Sequence, residues 1–156
     1  MRTTIRRYAA ALAAVPALLT AGLFGTAAPA EAAVRPAAPA IFVCANAPIP
    51  PGYVITGSNT SFTCGGGAEY QLTQVTTQAS IFVCNNSPIP QNWVITYVGV
   101  SGSCVTDKVY EITRISTQTS QWVCANSPIP AGWTIDYTGP TTDCGGLNTY
   151  HLVKLA

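Results

Sequence analysis

From residue 41 onward, short stretches of alternating apolar and polar residues give way to runs of Pro, Gly, Ser and Thr. Segments 41–44, 53–56 and 69–75 are rich in β-branched and aromatic residues, and their counterparts recur 40 and 80 residues later. Such composition predicts three short strands per block. In the second strand, Trp93, Ile95 and Tyr97 alternate with Val94 and Thr96; Trp133, Ile135 and Tyr137 alternate with Thr134 and Asp136. A period of two predicts that each set of three lies on one apolar face. Tyr70 and Leu72, Tyr110 and Ile112, and Tyr150 and Leu152 predict a similar face in the third strand, with Glu111 and His151 pointing the other way. Pro48 and Pro50 separate the first two strands of a block, since neither can donate an N–H to a ladder. No stretch beyond residue 40 has helical periodicity.

The blocks are one module written three times without gaps. Their openings read IFVCANAPIPPGYVIT, IFVCNNSPIPQNWVIT and QWVCANSPIPAGWTID. Modules 1, 2 and 3 cover 41–80, 81–120 and 121–156. Positions identical in all three are Val43, Cys44, Asn46, Pro48, Ile49, Pro50, Ile55, Cys64 and Tyr70, with their counterparts. That set contains no Asp, Glu, His, Lys, Arg or Ser. A general acid or base needs a titratable side chain, so a function shared by the three modules works without one. The expectation is a protein that is not an enzyme.

Six cysteines stand at 44, 64, 84, 104, 124 and 144, a constant step of 20. In a small exported chain this predicts disulfides. Two pairings respect the repeat. One joins Cys44–Cys64, Cys84–Cys104 and Cys124–Cys144 within modules. The other joins Cys64–Cys84, Cys104–Cys124 and Cys44–Cys144 into a ring. The first is favoured because it needs no closure between distant ends. Each such bridge closes a loop worth about 3 kcal/mol in the chain-entropy description. There is no C-x-x-C and only one His, so neither a metal site nor a redox dithiol is expected, and no cofactor is implied.

Residues 1–33 read as a secretory signal peptide. Arg2, Arg6 and Arg7 lead an apolar stretch over 8–24, and Ala28-Pro29-Ala30 and Ala30-Glu31-Ala32 supply small-residue cleavage sites. The apolar stretch is shorter than the ~20 residues of a membrane span. Its Ala-rich, Arg-led composition is of a bacterial kind. Residues 34–40 form a Pro/Ala-rich lead-in. The expected product is secreted and extracellular, with no membrane span in its mature form.

Charge excludes more than it suggests. Charged residues make up 8% of the chain, whose net charge is +1. Without residues 1–33, four basic and five acidic residues remain, a net charge of −1. No cationic face exists to track phosphates, so nucleic acid is not an expected partner.

The expected architecture is all-β: three 40-residue disulfide-stapled modules, either a single domain with pseudo-threefold symmetry or a compact tandem array. A module of about 40 residues is marginal alone, so the three are expected to share a core. Candidate chemistry sits between the first and second strands. Asn46, Asn86 and Asn126 precede a Pro-Ile-Pro segment that leads into Tyr53, Trp93 and Trp133. Two prolines pre-set the backbone near polyproline II. An amide beside a ring then makes a candidate ligand-binding loop, against the alternative that Asn forms a turn and the ring packs in the core. The expected function is a secreted binding protein with three similar sites for surface glycan or another repetitive polymer. A structural or envelope-associated protein, and a protease inhibitor or anti-competitor factor built on the braced Pro loop, are the alternatives. A Ser-His-Asp arrangement requires Asp136 or Asp143 beside His151 and an oriented nucleophile; His151 aligns with Gln71 and Glu111, so the other modules lack it.

Overall fold

The structure is a computed structural model, and it describes residues 40–155. The expected signal peptide at 1–33 and nearly all of the expected lead-in at 34–40 lie outside the described residues. Module 1 contains β1 (Ile41–Cys44), β2 (Tyr53–Thr60), a short 3-10 turn (Phe62–Cys64) and β3 (Ala68–Gln74). Module 2 contains β4 (Ser80–Cys84), β5 (Trp93–Val100) and β6 (Lys108–Arg114). Module 3 contains β7 (Ser120–Cys124), β8 (Trp133–Pro140) and β9 (Asn148–Lys154). Each module is one antiparallel three-stranded sheet, ordered β1-β3-β2, β4-β6-β5 and β7-β9-β8. The last strand of a module is therefore its centre.

The Pro-rich segment does more than prevent pairing. Pro50, Pro90 and Pro130 accept a turn-closing bond from the N–H of Tyr53, Trp93 and Trp133 at 3.1, 3.1 and 3.2 Å. The residue before the aromatic is Gly52, Asn92 or Gly132, at φ 79, 62 and 79°. Such a turn needs a left-handed residue there, which Gly and Asn supply cheaply.

Disulfides join Cys44–Cys64, Cys84–Cys104 and Cys124–Cys144, the within-module set. The cores, however, are shared between modules. Ile55 and Leu72 of module 1 pack with Cys84, Cys104 and Val109 of module 2. Ile95 and Ile112 of module 2 pack with Cys124 and Cys144 of module 3. Each module thus seals its apolar side with the next module's cross-link. The strands in contact across the junctions are β2 with β4 and β5 with β7. The arrangement is a tandem array rather than a pseudo-threefold single domain.

Two backbone-anchored bonds recur at both junctions. The Ile55 N–H donates to Ser87 Oγ and the Ile95 N–H to Ser127 Oγ, both at 2.9 Å and buried. The Ser58 N–H donates to the Ser103 carbonyl, and the Val98 N–H to the Asp143 carbonyl, both at 2.8 Å. These bonds use the outer edge of β2 and β5, whose N–H groups have no strand partner there. An unmade bond at a buried N–H costs about 1–3 kcal/mol, so the serines are structural.

The outer faces of the array differ from the inner ones. Module 1 carries Ala47 where modules 2 and 3 carry Ser87 and Ser127. Module 3 carries exposed Thr134 where Val54 and Val94 are fully buried. Thr134 gives the outer face of module 3 the polar character that an uncovered repeat face requires to stay soluble, and Ala47 omits a hydroxyl that has no edge N–H to satisfy there.

One expectation about the sheet is corrected. The register shifts between Ile55 and Gly57, between Ile95 and Tyr97, and between Ile135 and Tyr137. A β-bulge at Thr56, Thr96 and Asp136 inserts one residue and reverses every side chain after it. Tyr97 and Tyr137 therefore leave the face of Ile95 and Ile135 and point to the exposed one.

Candidate functional site

The loop residues singled out from the sequence divide between surface and core. Asn46, Asn86 and Asn126 are exposed, as the loop reading requires. Trp93 and Trp133 are not: they are 3% and 9% exposed. Trp93 lies in the core shared with Val54 and Cys144, with the Arg114 guanidinium 5.1 Å over its ring. Trp133 packs with Val94, Val123 and Leu152. Tyr53 is half-buried against Ile55 and Leu72. The expectation that these rings form a stacking surface is corrected for Trp93 and Trp133, because a ring sealed in a junction core cannot meet a ligand.

The loop also has a junction role. Asn86 Nδ2 donates to the Tyr70 hydroxyl of module 1 at 3.0 Å. Ser87, one residue on, caps the β2 edge. Ile89 is packed on the core that contains Val54. The Asn-Ser-Pro-Ile-Pro segment of module 2 is therefore seated on the module before it.

The exposed rings lie elsewhere, in one register row per sheet. Phe42 pairs with Gln71, which pairs with Gly57. Phe82 pairs with Glu111, which pairs with Tyr97. Trp122 pairs with His151, which pairs with Tyr137. Directly paired residues share a sheet face, so each row places a polar side chain between two outer positions. Phe42, Phe82 and Trp122 are 59%, 55% and 50% exposed, and Tyr97 and Tyr137 are also exposed. The Phe82 and Tyr97 rings meet edge to face at 6.5 Å, and Trp122 and Tyr137 at 5.7 Å. The bulge that turned the tyrosines outward completes the row. Sequence reasoning missed it because a period-two pattern carries no mark of an inserted residue.

The bulge residue leans over the central strand and varies in chemistry. Thr56 Oγ1 lies 2.8 Å from Thr73 Oγ1, and Thr96 Oγ1 lies 3.0 Å from Thr113 Oγ1. In module 3, Asp136 Oδ1 lies 2.7 Å from His151 Nδ1, and the His151 ring is 4.6 Å from Trp122. The pairing of His151 with Asp136 meets one requirement of a catalytic triad. Among the described residues no hydroxyl is hydrogen-bonded to that imidazole, and all six cysteines are in disulfides. The pair orients the imidazole in the row beside Trp122.

Two clefts flank the rows. One, of about 380 Å³, opens between the row of module 1 and residues 102–103 of module 2. The other, of about 390 Å³, lies between Thr96 and the Trp122 side of module 3. Among the described residues no helix is long and apolar enough to cross a membrane. No protein-family model, no curated protein and no solved structure matches this chain.

Proposed function

We propose that the protein is a secreted, non-enzymatic binding protein whose three modules hold a surface glycan or another repetitive polymer on their aromatic rows. One observation carries this reading: an exposed ring beside a polar side chain occurs on the open face of every sheet. Paired exposed rings at the same row in modules 2 and 3, with a third ring at that row in module 1, support a binding use more than single scattered rings would. A ring accepts the C–H face of a sugar, and the neighbouring Gln71, Glu111 or His151 meets its hydroxyls. All three rings stand on strands, and those of modules 2 and 3 are further held by edge-to-face contacts, so little side-chain entropy is lost on binding. Three weak sites on a repeating ligand gain avidity without new contacts. Three disulfides suit an oxidising, extracellular setting, as does a leader over 1–33.

The two alternatives fit less well. A protease inhibitor needs a free Pro loop, whereas those of modules 2 and 3 are bonded to the preceding module. An envelope-associated structural protein needs faces that propagate, and Ala47 and Thr134 remove the junction residues at both outer faces.

Retention of the disulfide-intact protein on insoluble cellulose, chitin, xylan and peptidoglycan tests the reading. At least one polymer should retain it. Phe42→Ala, Phe82→Ala and Trp122→Ala should each weaken retention about threefold to tenfold, in line with ~0.5–1.5 kcal/mol per aromatic contact. The triple variant should be released. A protein retained by none of the polymers, or a triple variant held like the parent, rejects it.

A further inference from the structure

The row of module 1 departs from the other two at a single point: Gly57 stands where modules 2 and 3 carry Tyr97 and Tyr137. A second change accompanies it. In modules 2 and 3 the tyrosine ring folds over the glycine two residues on. A Cβ at Gly99 would lie 2.6 Å from Tyr97 Cε1, and one at Gly139 would lie 2.7 Å from Tyr137 Cε1. Only glycine leaves room for that ring. Module 1 has neither the ring nor the glycine; its counterpart of Gly99 is Asn59. Gly57 is itself buried, with the Gln71 side chain and the Ser103 carbonyl over it, and a cleft of about 380 Å³ opens beside them.

We infer that this cleft, at the junction of modules 1 and 2, is a binding site for one neutral sugar unit, distinct from the stacking rows of modules 2 and 3. The inference rests on the polymer-binding reading above and names where a single residue of that polymer is held. The lining gives the chemistry. Phe42 is the one aromatic wall; Thr56, Ser58 and Ser103 bring hydroxyls; Asn59 and Gln71 bring amides. None of these side chains is ionisable at ordinary pH, so an anionic or cationic group entering the cleft would lose water and gain no counter-charge. A pyranose offers the complement: one apolar C–H face, several hydroxyls and no charge. The volume falls at the lower end of the roughly 300–1,000 Å³ of small-ligand sites.

The cleft is also preorganised. Ser58 Oγ accepts the Val105 N–H at 2.8 Å, the Ser58 N–H donates to the Ser103 carbonyl at 2.8 Å, and Thr56 is bonded to Thr73. These bonds fix the walls across the junction. Among the described residues the amides of Asn59 and Gln71 make no hydrogen bond to the protein, and both residues are exposed. The groups able to read a ligand are therefore free, while those that shape the cleft are held.

Gly57→Tyr combined with Asn59→Gly tests this site. It installs in module 1 the pair that modules 2 and 3 already accommodate at Tyr97/Gly99 and Tyr137/Gly139, and an unchanged denaturation midpoint checks its folding. The probes are soluble hexaoses of glucose, N-acetylglucosamine and xylose, titrated by calorimetry and by NMR of the side-chain amides. At least one hexaose should bind the parent and shift the Asn59 and Gln71 amide signals. The double variant should bind it at least about tenfold more weakly, through loss of ring and amide contacts. Retention on insoluble polymer should persist in the double variant through Phe82 and Trp122. A double variant that binds the hexaose as the parent does overturns the inference. So does a parent that is retained on polymer yet binds no hexaose, or that shifts those amides only with polygalacturonate or a peptide; the polymer-binding reading survives these results. Failure of both retention and hexaose binding removes both.

Discussion

Alanine in place of the isoleucine at frame positions 55, 95 and 135 separates what a module contributes from what its neighbour contributes. The three side chains are chemically identical and sit two residues after the aromatic of each middle strand. Their exposures are 0% for Ile55, 2% for Ile95 and 37% for Ile135. The difference has one cause: the next module's disulfide seals Ile55 and Ile95. Truncation to alanine removes three carbons, about 2.4 kcal/mol of transfer free energy at ~0.8 kcal/mol per methylene. At the two sealed positions a cavity adds to this, placing the loss within the ~2–5 kcal/mol range of buried isoleucine truncations. At Ile135 part of the side chain is already in water and the site opens outward, so the loss falls to about 1 kcal/mol. Guanidinium unfolding of the disulfide-intact protein, followed through the buried Trp93 and Trp133, reads the difference as a shift in midpoint at constant slope. Ile55→Ala and Ile95→Ala should shift it two to three times as far as Ile135→Ala, about 3 against about 1 kcal/mol. Equal shifts for Ile95→Ala and Ile135→Ala would refute the claim that stability resides in the junctions.

Two other outcomes follow from the same geometry. Cys84, Cys104, Cys124 and Cys144 are buried, whereas Cys44 and Cys64 are only partly covered. Limited reduction followed by alkylation and mass mapping should label Cys44 and Cys64 first, and simultaneous labelling of all six would contradict the burial argument. Restoring the junction residues on both outer faces, as Ala47→Ser with Thr134→Val, should make the sedimentation coefficient rise with concentration more steeply than that of the parent. A double variant that stays monomeric at every concentration would show that those two positions do not govern association.

Local patterns carried much of the architecture. Strand propensity, the 40-residue period and the constant cysteine step are properties of neighbouring residues, and they predicted three β-modules with internal cross-links. The apolar face of Tyr70 and Leu72, with Leu72 fully buried, was legible for the same reason. The candidate site was far less legible. Trp93 and Trp133 resembled loop rings because their exposure depends on which module covers them. Phe42, Phe82 and Trp122 went unnoticed because an apolar residue in a strand reads as core until the sheet's open face is known.

The sequence alone determined the modules and their period, since these depend on side-chain alternation and on spacing along the chain. Only the tertiary structure decided the rest. It showed that the next module's disulfide closes each shared core, that Ser87 and Ser127 satisfy edge N–H groups 32 residues away, and that a bulge turns Tyr97 and Tyr137 to solvent. The first two depend on the packing of one sheet's edge against the next module, and the third on the register between two strands of one sheet. Burial at the junctions is set by a surface distant in sequence, and no local pattern records it.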